Sequence, residues 1–131
     1  MAHIHTIFEP RYHGVVHGKR ASLVLGPDAN EFGPYDLVLA GLSGCFYVTF
    51  LGITGKMQLS YDEVTIDITG THREEPPTLL SHVLLDIIVK GAGLEREKHF
   101  NRAVEVASKY CSVFQTLSRV AEMETKLTLI P

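Results

Sequence analysis

Residues 37–55 form a run of nineteen positions without a single charge. That is close to the length at which a helix spans a bilayer. Seven of the nineteen are Gly, Ser or Thr (Gly41, Ser43, Gly44, Thr49, Gly52, Thr54 and Gly55). The run is therefore only modestly hydrophobic, and a helix buried in protein is the better reading. Pro34 suits a first helical position, because its ring fixes φ and its missing N–H would have no partner there. Asp36 falls in the first turn, where a carboxylate faces orphan N–H groups. The pattern predicts a helix from residue 34 to about residue 54, stopped by Gly55. Such a helix is apolar on every face and must be covered on every side, by sheets of its own chain or by a second subunit. Glycine inside a helix costs ~1 kcal/mol relative to alanine, so Gly41, Gly44 and Gly52 together point to the close approach of another backbone.

The flanking sequence reads as strands and shorter helices. Residues 1–25 carry β-formers (Ile4, Thr6, Phe8, Val15, Val16, Leu23, Val24 and Leu25) punctuated by Pro10, Gly14, Gly18 and Gly26, which predicts short strands. Residues 26–33 are a loop by composition. Residues 61–71 alternate, with Val64, Ile66 and Ile68 on one face and Thr65, Asp67 and Thr69 on the other, the period of a half-buried strand. A polar turn with two prolines, residues 72–78, leads to a second strand over 79–89. From 94 to 108 the spacing of Phe100, Val104 and Ala107 is helical. Val113, Leu117 and Val120 resume it after a break near Cys111, and residues 125–130 form a last strand. Strands joined by hairpins with interspersed helices define an α+β fold. A length of 131 residues suits one domain spanning 1–131.

Composition narrows the function. The formal charge is −3, with no basic run, which argues against nucleic acid as a partner. The segment MAHIHTIFEP places His, Glu and Pro where a signal peptide needs an apolar stretch. The expectation is a cytoplasmic protein, not a membrane one, with its two cysteines reduced. The histidines are scattered and two distant cysteines give no closed zinc spacing, so no metal or resident cofactor is expected. No phosphate-binding glycine loop and no serine-nucleophile elbow occurs.

That leaves Cys45 and Cys111. Cys45 lies about midway along the apolar helix, where nothing nearby in sequence lowers a thiol pKa; its reactivity would require a distant cation brought to it by the fold. Cys111 follows Lys109 and Tyr110 and lies near a helix break, the setting that favours a thiolate. Local sequence alone therefore points to Cys111 as the more reactive thiol. Simple core packing is the alternative for either residue.

Two segments taken together resemble a known family. GPYDLVLAGLSGC, residues 33–45, has the proline, acidic residue, small-residue helix and cysteine of OsmC/Ohr proteins. AVEVASKYCSV, residues 103–113, resembles the second cysteine motif of that family. HREEPPTLLSHVLLDIIVKG, residues 72–91, looks like the intervening strand pair of the subgroup called YhfA-like. The resemblance implies an intertwined homodimer with the long cysteine helices at its centre and the sites at the subunit interface. It implies thiol peroxidase chemistry on organic, hydrophobic hydroperoxides, with Cys45 as the attacking thiolate, Cys111 as the resolving thiol and an external dithiol as reductant. This reverses the assignment made from local sequence. It also implies an arginine that stabilises the thiolate and an acidic residue that holds the arginine. Asp36 is the acidic candidate, next to Tyr35, which stands where other members carry the acid. Arg20 is the arginine candidate, ahead of Arg11 and Arg73. A small-molecule or lipophile-binding protein on the same fold, with little turnover, is the alternative function.

Overall fold

The computed structural model describes all residues, Met1–Pro131. The chain divides into two compact units, residues 1–40 and 41–131. The first unit holds β1 (His5–Phe8), β2 (Gly14–His17) and β3 (Ser22–Leu25), an antiparallel sheet in the order β1-β2-β3. Each strand is four residues long, as the glycine punctuation of the sequence requires. The loop over 26–33 is tied to β3, with Phe32 N–H donating to Val24 O at 2.9 Å and Gly26 N–H to Phe32 O at 3.2 Å.

The predicted long helix is α1 (Pro34–Lys56), two residues longer at its end than the sequence suggested. Its start is closed by Asp36, whose Oδ2 accepts the Gly33 N–H at 3.0 Å. This is the reciprocal half of a capping box, a third-position carboxylate reaching back to the N-cap amide. By length and apolarity α1 could cross a membrane, but Leu42, Phe46, Phe50 and Thr54 are buried within the protein. These four recur every fourth residue and so form one stripe.

The second unit adds β4 (Glu63–His72), β5 (Leu80–Lys90) and β6 (Glu122–Ile130), in the order β4-β5-β6. β4 and β5 form an antiparallel hairpin, with Ile66 opposite Ile87 and Ile68 opposite Leu85. β6 runs parallel to β5, with Leu85 beside Thr125 and Ile87 beside Leu127. Parallel neighbours need a crossover of a dozen residues or more. Here it contains a single 3-10 turn, Leu94–Arg96, followed by α2 (Glu97–Tyr110) and α3 (Ser112–Leu117). Mixed α+β architecture is therefore observed as expected. β6 begins three residues earlier than the sequence suggested.

The core of this unit is the stripe of α1, the inner face of β5 (Val83, Leu85, Ile87 and Val89) and the apolar face of α2 (Phe100, Ala103 and Ala107), all essentially inaccessible to solvent. An aromatic chain joins them: Phe46–Phe50 at 6.3 Å between ring centroids, Phe50–Tyr61 at 6.0 Å and Tyr61–Phe100 at 6.1 Å. Thr54 is the only buried polar side chain of the core, and its hydroxyl is paired with Tyr61 OH at 3.0 Å, as a buried hydroxyl must be.

The opposite face of α1 is uncovered. Val48 is 64% and Leu51 48% exposed. A Cβ built on Gly41, Gly44, Gly52 or Gly55 would meet nothing within 4 Å. The close backbone approach expected at Gly41, Gly44 and Gly52 is thus not made inside the chain.

Candidate active site

Cys111 is the joint between two helices. Its N–H donates to Ala107 O at 2.8 Å, the last bond of α2, and its C=O accepts from Gln115 N–H at 3.0 Å, the first of α3. Between them its backbone is extended, with φ −72° and ψ 114°, so the helix cannot run through. The Cys111 sulfur caps α3 by accepting the Phe114 N–H at 3.4 Å. The Gln115 amide donates back to Ser108 O at 2.9 Å, satisfying a carbonyl at the end of α2. The break foreseen near Cys111 is therefore a built corner.

That corner lies against Cys45 of α1. Ser112 Oγ is 3.6 Å from Cys45 Sγ. Cys45 is partly exposed, whereas Cys111 is fully buried. Burial opposes ionisation of Cys45. It is outweighed by the Val113 N–H, the Cys111 thiol, the Ser112 hydroxyl and the Ser112 N–H, and the pKa of Cys45 lies below that of an ordinary thiol. Cys111 is pushed the other way, to about 11, by burial first and then by the hydrogen bond and the charge of Cys45.

This corrects the reading from local sequence, in which Cys111 was the more reactive thiol. The thiol at the helix start is sealed in the core, and the neighbouring Lys109 places its Nζ over the Tyr110 ring, 5.7 Å from its centre. Cys45 was expected to need a cation. It is instead met by neutral donors, and those on Ser112 and Val113 were not singled out in the sequence. Their one sequence signal is position, immediately after Cys111.

The remaining candidates are placed differently. Asp36 is exposed and closes the start of α1. Arg20 is exposed in the turn between β2 and β3. Neither belongs to any of the four ion pairs of the chain. Arg11 lies in the β1–β2 turn, and Arg73 Nε donates to Pro77 O at 2.6 Å within the β4–β5 turn. No group of three or more His, Cys, Asp or Glu side chains is placed to hold a metal ion.

A groove of about 730 Å³ runs along α1 and α2, and neither thiol is part of its lining. Val48 and Thr49, one turn beyond Cys45, lie at one side, and Tyr110, adjacent to Cys111, at the other; Gly52, Ile53, Met57 and Val106 complete an apolar lining flanked by Lys56 and Arg102.

An α+β chain with one thiol on a long apolar helix and a second at a helix corner defines a protein of OsmC type. The chain belongs to that family: the family model described as OsmC-like protein matches residues 26–126. Protein YhfA of Escherichia coli K12 is 32% identical over 91 residues, covering 69% of this chain and 67% of YhfA. Among solved structures, the OsmC-like protein of Mycoplasma pneumoniae superposes with a TM-score of 0.86 at 19% identity, covering 100% of this chain and 98% of the other. An organic hydroperoxide resistance protein OsmC from Legionella pneumophila, also described as a predicted redox protein, superposes with a TM-score of 0.77 at 16% identity, covering 98% and 96%. At these identities the superpositions speak for the fold, which extends over the whole chain including the exposed apolar helix.

Proposed function

We propose that this protein is a thiol-dependent peroxidase that reduces hydrophobic organic hydroperoxides. The observation that carries the reading is the pairing of a partly exposed, acidified Cys45 with a buried Cys111 that keeps its proton. The Cys45 thiolate attacks the O–O bond of the peroxide. The distal oxygen stays on sulfur as a sulfenic acid, and the other leaves as an alkoxide that takes up a proton to become the alcohol. The Cys111 thiol then attacks the Cys45 sulfur, forming a disulfide and releasing water. An external dithiol reduces the disulfide and returns both thiols. Each turn of the cycle consumes one peroxide and two electrons from the dithiol. The apolar groove that begins one helical turn beyond Cys45, at Val48 and Thr49, suits the organic part of the substrate.

The active form is a homodimer of soluble, cytoplasmic protein. The uncovered apolar face of α1, with its four unfilled glycine positions, supports a second copy as the cover. By family resemblance Arg20 and Asp36 support the thiolate; the place of Asp36 at the helix start accounts for it equally well without that role.

The test is intact mass and free-thiol titration of reduced protein given about one equivalent of cumene hydroperoxide. Loss of both thiols with a fall of about two mass units is expected in the wild type. Cys111→Ser should instead hold a trappable sulfenic acid on Cys45. Thiols unchanged over minutes would remove the peroxidase. The second reading, a lipophile-binding protein, is favoured by the size and apolarity of the same groove, and a co-purifying lipophile with inert thiols would establish it.

A further inference from the structure

We infer that Ser112 is a positioning residue for the nucleophile: its hydroxyl, 3.6 Å from the Cys45 sulfur, donates to that sulfur and fixes it as the reacting atom of the pair. The inference rests on Cys45 being the nucleophile of the proposed reaction.

The backbone of Ser112 is held without help from its side chain. The preceding residue is anchored on both sides, by its N–H to Ala107 O and by its C=O from Gln115 N–H. The cap of α3 is the Cys111 sulfur, which accepts the Phe114 N–H. The Ser112 carbonyl is engaged too, accepting from Thr116 Oγ1 at 2.8 Å. Alanine at this exposed first position would serve the helix at least as well. The hydroxyl is therefore not needed for capping or packing, and its one hydrogen bond goes to Cys45.

A hydroxyl suits this place. It donates to a thiolate without bringing a charge that must itself be desolvated. A donor to an anion is also stronger than one to a neutral acceptor. Since Ser112 follows Cys111 directly, the same corner that presents the second thiol presents the donor, and one backbone placement fixes both relative to Cys45.

A hydrogen bond to the thiolate has two opposed effects on rate. It raises the ionised fraction at neutral pH, and it lowers the intrinsic nucleophilicity of each thiolate. With a Brønsted slope of about 0.4–0.5, a tenfold loss of ionised fraction is offset by an about threefold gain in nucleophilicity. Removing the hydroxyl should therefore slow Cys45 at neutral pH and quicken it at high pH.

The test follows iodoacetamide alkylation of Cys45 by peptide mass across pH, in the reduced full-length chain, without peroxide. Ser112→Ala is expected to react about threefold more slowly than wild type at pH 7 and about threefold faster on the high-pH plateau, so that the two profiles cross. Ser112→Thr should restore the wild-type profile. Ser112→Val, which has the shape of threonine without the hydroxyl, should behave as Ser112→Ala. Superimposable profiles for Ser112→Ala and wild type would overturn the inference. So would a uniform fall at all pH values, or a Ser112→Val profile equal to that of Ser112→Thr, because each assigns the residue a steric role only. Crossing profiles in a protein that leaves hydroperoxide untouched would keep Ser112 and remove the peroxidase.

Discussion

Cys45 and Cys111 depart from an ordinary thiol in opposite directions: burial opposes ionisation of both, but the donors of Val113 and Ser112, with the Cys111 thiol, bring Cys45 below the usual thiol range, while burial first and then the neighbouring Cys45 push Cys111 up to about 11. A negative charge on one sulfur disfavours ionisation of its neighbour, so the partly exposed Cys45 ionises first and the buried Cys111 keeps its proton to higher pH.

Alkylation should follow this order. With iodoacetamide at pH 7, Cys45 is expected to be modified first. Cys111 should follow only in unfolded protein, because it is both protonated and inaccessible. Peptide mapping of partially modified protein checks this, and modification of Cys111 ahead of Cys45 would reverse the roles.

Stability should fall at high pH because of Cys111. Its folded pKa of about 11 stands above the 9.0 of an ordinary thiol. Between those values the unfolded chain releases the proton and the folded chain keeps it. The native state then binds more protons, and stability declines as pH rises. The cost is absent below the unfolded pKa and complete above the folded one. The urea midpoint of the wild type is expected to drop across that window more steeply than that of Cys111→Ser. The serine variant should keep its fold, since serine is a favoured N-cap and Phe114 N–H supplies its partner.

Asp36 offers a cleaner separation of structural from catalytic work. Asp36→Ala removes the acceptor of the Gly33 N–H and should cost about 1 kcal/mol of stability. Asp36→Asn keeps an acceptor and should cost less. If the carboxylate acts only at the helix start, both variants alkylate Cys45 at the wild-type rate; slowing in Asp36→Asn would support its family role beside an arginine.

The sign of a glycine substitution reports on the dimer. In a lone chain, Gly44→Ala meets no atom and should stabilise α1 by about 1 kcal/mol. If a second α1 packs at this position, the same methyl should destabilise the protein and shift sedimentation toward the monomer. Urea unfolding and sedimentation velocity on the one variant decide between the two.

Most of the architecture was legible because it depends on local pattern. The alternation of Val64, Ile66 and Ile68 marked β4, and Pro34 with Asp36 marked the start of α1. The early start of β6 was hidden because its first residues, Glu122 and Glu124, are acidic and face outward around a half-buried Met123. Its parallel pairing with β5 is a property of the crossover rather than of the strand. The motifs that resemble the family identified both cysteines. What no local reading could supply was their order of reactivity. The donors that acidify Cys45 lie on residues 112 and 113, and the burial that silences Cys111 comes from the packed core.

The position of these two sulfurs has a consequence for the molecule as a whole. They lie sixty-six residues apart in sequence, and the segment between them contains β4, β5 and α2. A bond between Cys45 and Cys111 would close a ring through most of the second unit and, by loop entropy, hold the chain against unfolding by about 4 kcal/mol. The spent form of such a catalyst would be its most durable form. Oxidant that exhausts the thiols would at the same moment brace the protein until a reductant arrives.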